Sequence, residues 1–177
     1  MKLFLLKTCL LLIPVFVLDI TVWKVKKSAI SFQIKNAGVT INGAFYGLKS
    51  EIKFDPLKLQ ESNIFASVDS KTVNTEMESR DNHLRKPDYF DVEKYPLITL
   101  QSVKLEKTGP ITFNGTFKLT IKDITKEVVI PFSFIKIPEK NQLKGNFTIN
   151  RRDYGIGSSS MILADDVTIN LDVELTE

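Results

Sequence analysis

The sequence predicts an all-β domain, an antiparallel barrel of about eight strands, and three observations carry that prediction. Apolar and polar residues alternate along most of the chain after residue 22, breaks containing Gly, Pro, Asn or Asp separate the alternating runs, and no long stretch repeats at the helical period. With 177 residues, 43% hydrophobic and 25% charged, the chain fits one domain able to bury its own core.

The runs follow in order. "SAISFQIK" sets Ile30, Phe32 and Ile34 on one face, and "GVTINGAF" does the same with Val39, Ile41, Gly43 and Phe45. Shorter runs follow at "SEIKFD" (Ile52, Phe54), "SNIFASVD" (Ile64, Ala66, Val68) and "PLITLQSVKL" (Ile98, Leu100). "ITFNGTFKLTI" alternates through Phe113, Phe117, Leu119 and Ile121, and "EVVIPFSFI" through Val128, Ile130, Phe132 and Phe134. The polar break "KDITK" between these two closes a hairpin in which Asp123 tolerates a turn conformation. "LKGNFTIN" and "DDVTINLDVELTE" complete the series, the last with Val167, Ile169, Leu171, Val173 and Leu175 on one face. The only helical turns expected lie between Thr75 and Leu84 or just after, a short helical segment near residues 75–90.

Alternation this regular puts one face of each strand in water and the other in a shared interior, as in a barrel or a sandwich. The barrel is favoured because Gly43, Gly115 and Gly145 interrupt the inward series, and a glycine within a strand marks the bend of a closing sheet. A solid-cored sandwich is the alternative.

The start of the chain reads differently. In "MKLFLLKTCLLLIPVFVLDI", Lys2 and Lys7 precede an uncharged apolar run from Thr8 to Leu18, the layout of an export signal and too short for a spanning helix. The expected organisation is a signal peptide over residues 1–18 and a barrel over 22–177, in a periplasmic or secreted protein. An uncleaved N-terminal anchor is the rival reading. The only cysteine, Cys9, falls in this segment, so the mature chain has no disulfide. Without Lys2 and Lys7 the 24 basic residues become 22 against 21 acidic ones, a net charge of +1 that gives no reason to expect nucleic acid as a partner.

Catalytic signatures are weak. Ser79, Asp81 and His83 crowd together in sequence, unlike the separated nucleophile, base and orienter of hydrolases, and "GIGSSS" does not match G-x-S-x-G. One histidine and no mature cysteine argue against a zinc site, and no calcium-loop spacing occurs. No enzyme activity, metal or cofactor is expected, a hydrolase being the weakest alternative.

A barrel of about eight strands has an interior either filled by side chains or able to hold one small ligand. Of 12 phenylalanines, Phe32, Phe45, Phe54, Phe113, Phe117, Phe132, Phe134 and Phe147 lie in expected strands, walls that suit an apolar ligand or an ordinary core equally.

The stretch "RDNHLRKPDYFDVEKYPLITLQS" is neither helix nor strand in pattern. With "GTFKLTIKDITKEVVIPF" and "RRDYGI" after it, it resembles the YceI-like family of lipocalin-like proteins, whose members join two strands by R-D-x-H-L-x-x-x-D-[FY]-F-D-x-x-x-Y-P. The resemblance covers about residues 22 to 177. It implies an extended lipocalin-like barrel with a long apolar cavity, exported in many members, that binds polyisoprenoids, isoprenoid quinones or similar long-chain lipids without catalysis. Two departures stand out: Asn36 occupies a position where many members carry histidine, and "KDITK" lacks the glycine usual in that hairpin.

On this reading Phe32, Phe45, Phe113, Phe117, Phe132, Leu84 and Phe90 line a lipid site, while Arg80, His83 and Arg85 meet the head group by charge-assisted hydrogen bonds. For each of these three the alternative is that it only holds the loop. A structural or interaction protein using its outer strand faces is the competing class, and a homodimer is left open.

Overall fold

The computed structural model describes residues 20–138 and 140–177. The expected signal peptide and Cys9 lie outside the described residues. Strands β1 (Val22–Asn36), β2 (Val39–Phe45), β3 (Lys49–Lys53) and β4 (Asn63–Asp69) come first, followed by the single α-helix among the described residues, α1 (Glu78–Leu84). Strands β5 (Leu97–Lys107), β6 (Thr112–Ile121), β7 (Ile124–Ile137), β8 (Lys140–Asn150) and β9 (Leu163–Thr176) complete the chain.

Every strand pairing is antiparallel, each strand from β3 to β9 pairs with the next, and β1 pairs with β9 to close the barrel. β2 and β3 lie end to end along the other edge of β1, with Ile30 opposite Phe45 and Trp23 opposite Ile52. The interruption at Tyr46–Leu48 contains Gly47 at φ 71°, which a glycine adopts without steric cost. Nine strand segments therefore occupy eight positions in the barrel, and no free edge runs its full length.

Register follows from the apolar alternation, because a slip of one residue would turn an entire series to water. Val167, Ile169, Leu171 and Val173 of β9 stand opposite Ile149, Phe147, Gly145 and Leu143 of β8. On the other side they face Ile34, Phe32, Ile30 and Ser28 of β1.

Two of the in-strand glycines also make room for rings. A Cβ on Gly43 would stand 2.2 Å from the Phe32 ring, and one on Gly115 would stand 2.2 Å from the Phe117 ring. Neither glycine has a positive φ. Both positions are vacancies that receive rings.

One end of the barrel is solid. Phe54 and Phe113, 0% and 1% exposed, meet edge to face at 5.3 Å, and Phe54 meets Phe134 at 5.1 Å. Trp23 packs on Phe134 at 5.3 Å and donates its indole N–H to the Phe54 carbonyl over 2.8 Å, so its polar edge is satisfied within the plug.

Two short 3₁₀ turns accompany α1. Ser70–Thr72 is capped by Asp69, and Arg151–Tyr154 by Asn150, whose side chains accept from the backbone N–H two residues on. Both fall outside the expected helical window, the second within "RRDYGI", and Gly155 ends that one at φ 62°. In the β6–β7 hairpin the left-handed residue is Lys122, at φ 58°, and not Asp123.

Candidate functional site

Inside the barrel above the aromatic plug lies a cavity of about 390 Å³, to which all nine strands contribute. Ile30, Phe32 and Ile34 of β1 face Val167, Ile169 and Leu171 of β9 across its wall. The alternation that forms the strands thus also makes the wall apolar.

The end opposite the plug is covered by residues 70–95. Asn74 ties this segment to β2 by two backbone hydrogen bonds with Ala44, of 2.8 and 3.0 Å. At its return, Ser70 donates from N to the Pro96 carbonyl and from Oγ to the Tyr95 carbonyl. Phe90 turns inward and meets Phe45 edge to face at 5.4 Å, with Leu84 and Tyr89 beside it on the cavity wall. Lys86 and Asp88 remain exposed.

Arg80 lines the cavity at this end. Its Nε donates to Thr75 Oγ1 at 2.7 Å and its Nη2 to the Thr75 carbonyl at 2.6 Å. Thr75 in turn donates from N (2.8 Å) and Oγ1 (2.5 Å) to the buried Asp81 carboxylate. The threonine hydroxyl therefore relays between the two charges, and Arg80 has no direct ion pair among the described residues. A guanidinium has five N–H donors, and these bonds to Thr75 engage two of them. His83 also lines the cavity but is exposed, its ring 4.8 Å from that of Tyr89.

Of the expected lipid-contacting residues, Phe32, Phe45, Phe117, Phe132, Leu84 and Phe90 line the cavity. Phe113 does not. It lies in the plug, stacked at 5.4 Å on Phe132, which stands directly opposite it in the β6–β7 ladder. Arg85, expected at the head group, points elsewhere. Its guanidinium donates to the carbonyls of Lys71 and Val73 and to Asn82 Oδ1, which makes it a clasp for the covering segment.

The structure adds Arg151, only 2% exposed, to the wall. It donates to the carbonyls of Ala164, Ile156 and Ser158 and to Asp165 Oδ1, all within 2.7 to 2.9 Å, and so holds the loop before β9. Gly157 of that loop donates to the Asp88 carbonyl at 2.7 Å, while Lys122 Nζ bridges the carbonyls of Pro87 and Gly155. A Cβ on Gly157 would sit 3.0 Å from both Arg151 and Tyr89, at a φ of 64° that already favours glycine. The motif "RRDYGI" was visible in the sequence, but its role as a clasp depends on where these loops meet. Asn36, the departure at the end of β1, also lines the cavity, with its buried Oδ1 unpartnered among the described residues. Among the described residues no three His, Cys, Asp or Glu side chains are grouped to hold a metal.

The family model described as "YceI-like domain" matches residues 22–175. The chain belongs to the YceI family. A UPF0312 protein of Pseudomonas syringae is 31% identical over 149 residues, spanning 78% of this chain and 78% of that protein. The crystal structure of Burkholderia cenocepacia BcnA is similar at TM-score 0.81 and 26% identity, covering 90% of this chain and all of that one. A polyisoprenoid binding domain from Saccharophagus degradans shares the YceI fold at TM-score 0.70 and 13% identity, over 87% of this chain and 96% of that domain.

Proposed function

We propose that this YceI-family chain binds a long-chain apolar amphiphile, a polyisoprenoid, an isoprenoid quinone or a related lipid, and stores or transports it without catalysis outside the cytoplasm. The observation that carries this reading is the interior: an apolar cavity of about 390 Å³, stopped at one end by aromatic rings and met at the other by Arg80. Burial of a hydrocarbon tail contributes roughly 25 cal/mol per Å² and is indifferent to what the tail ends in. Selection among head groups falls to the covered end, where Arg80 presents a cation and His83 a donor or acceptor. The fold shared with a protein named for polyisoprenoid binding is consistent with this reading.

The test compares a prenyl alcohol with the prenyl phosphate of equal length, titrated against the wild-type protein and Arg80→Ala. The expected result is a loss of about ten-fold or more for the phosphate, equivalent to roughly one charge-assisted hydrogen bond, with little change for the alcohol. Equal losses for both ligands would make Arg80 a structural residue only, and binding of neither ligand by the wild-type protein would reject the lipid-carrier reading.

A further inference from the structure

Charge is unevenly spread over the outside of the barrel. In the half nearer the plug, β1 turns Lys24, Lys26 and Lys27 to solvent, the last two around a register shift against β9, and β3 adds Lys49, Glu51 and Lys53 on its outer face. The ladder carries this face onward: Lys27 stands opposite Glu174 of β9, Glu174 opposite Gln142 of β8, and Asp172 opposite Lys144, with Lys140 at the start of β8. Seven lysines thus meet three carboxylates, a net charge of +4, while the rest of residues 20–177 holds 15 basic and 17 acidic residues.

The three carboxylates are already taken. Glu174 pairs with Lys26 at 2.7 Å, Glu51 with Lys53 at 3.0 Å and Asp172 with Lys144 at 3.1 Å. Lys24, Lys27, Lys49 and Lys140 are left with no ion pair among the described residues. The Glu174 carboxyl is held below its ordinary value, first by the hydrogen bond from Lys26 and further by the charges of Lys26, Lys140 and Lys27. Like charges gathered on neighbouring strands cost stability, a cost that an anionic partner relieves.

Apolar side chains decide which partner. Val22 and Ile137 are exposed at the plug end, beside Lys24 and Lys140, and Ile137 stands opposite Lys140 in the β7–β8 ladder. β1 begins at Val22, so the apolar run Thr8–Leu18 is joined to this same face through residues 19–21. The exposed apolar pair at the mouth, Met161 and Ile162, is followed instead by Asp165 and Asp166.

We propose that this lysine face is where the protein docks on an anionic lipid bilayer, with the plug end and not the mouth against the membrane. Lysines supply long-range attraction to phosphate head groups, and Val22 and Ile137 meet the acyl boundary. Docking does not depend on what the cavity holds, so its failure leaves the lipid-carrier reading untouched.

The experiment is co-sedimentation of the purified protein with vesicles of phosphatidylcholine alone or with about a third phosphatidylglycerol, at about 0.1 M salt. Each lysine near such a surface is worth about five-fold in binding, so the wild-type protein is expected to prefer the anionic vesicles by about a hundred-fold or more, and to lose the preference at about 1 M salt. Lys24→Gln with Lys27→Gln and Lys49→Gln should lower that preference by about ten-fold or more, whereas Lys35→Gln with Lys107→Gln and Lys118→Gln, an equal loss of charge elsewhere, should change it by less than about three-fold. Met161→Ser with Ile162→Ser should leave it unchanged. Because the readout is a ratio between two vesicle types, a general effect of the N-terminal segment or of stability does not imitate it. A wild-type protein without preference, or equal losses in the two lysine triples, overturns the proposal. Loss of binding in the Met161 and Ile162 variant places the docking surface at the mouth and overturns it too. Retention on immobilised polyglutamate without binding to anionic vesicles assigns the face to an acidic protein instead.

Discussion

Replacing Asp81 by alanine tests the idea that the segment over the cavity mouth is held by a buried carboxylate. Asp81 is 6% exposed and accepts from the backbone N and the Oγ1 of Thr75, itself 4% exposed, at 2.8 and 2.5 Å. Hydrogen bonds to a charged acceptor are worth about 1.5–3 kcal/mol each, and a buried N–H left without a partner costs about 1–3 kcal/mol. The two bonds share one residue and do not add fully, so Asp81→Ala should destabilise the fold by about 2–4 kcal/mol. At about 2–4 °C per kcal/mol for a domain of this size, Tm falls by about 5–15 °C. Asp81→Asn keeps an acceptor but not the charge and should lose about half as much. Urea unfolding followed by circular dichroism measures both variants. The carboxylate also orders Thr75, on which Arg80 rests, so discrimination between phosphate and alcohol should weaken in the alanine variant. An alanine variant within 0.5 kcal/mol of wild type would refute the reasoning, because surface substitutions commonly change stability by no more than that.

Three further outcomes follow from the same structure. Burial, with a smaller contribution from Asp153, raises the pKa of the Tyr154 hydroxyl from 10.0 to about 12. The unfolded chain gives up this proton first, so the folded state binds more protons between pH 10 and 12 and loses roughly 2 kcal/mol of stability across that window. Tyr154→Phe should lack this alkaline loss, and at pH 7 it should be as stable as wild type or more so, since the buried hydroxyl has no partner among the described residues. A drop of more than about 1 kcal/mol at pH 7, read from urea unfolding, would count against it. Gly43→Ala drives a methyl into the Phe32 ring and should cost about 1–3 kcal/mol together with ligand affinity. Adding Phe32→Leu should recover most of that loss, and simple additivity in the double-mutant cycle would contradict the packing account. Arg85→Ala removes three side-chain hydrogen bonds within the covering segment and should weaken prenyl alcohols and prenyl phosphates by the same factor, as titration of both would reveal.

How far the sequence reaches can be judged from pairs of residues. Phe113 and Phe117 sit four apart on one face of β6, and alternation places both inward. Only the tilt of the barrel and the rings of Phe54 and Phe132 put Phe113 in the plug and Phe117 on the cavity wall. Period-2 patterning encodes face but not depth. Arg80 and Arg85 make the same point for the covering segment. Arg80 lies within the seven-residue helix and Arg85 caps its C-terminus, and whether each meets the cavity or a backbone carbonyl depends on where the chain from Lys71 to Thr75 lies against that helix. The strands themselves were legible because Ile, Val, Leu and Phe alternate with polar residues over several positions in most of them. β2 and β3 read as two strands, and their sharing of one barrel position became visible only through the pairing of both with β1. Arg151 is a side chain whose partners lie 5 to 14 residues downstream, on the loop before β9 and on the first residues of β9 itself, and no periodicity links them to it.

The central claim, that the barrel interior holds a lipid tail, is tested most directly by extracting the purified protein with organic solvent and analysing the extract by mass spectrometry. The account predicts a polyisoprenoid, isoprenoid quinone or related long-chain lipid in the extract, and a much smaller yield from Phe117→Trp, in which a larger ring intrudes on the cavity beside Gly115. Wild-type protein that yields no lipid above the solvent blank and takes up none when incubated with prenyl alcohols would contradict it.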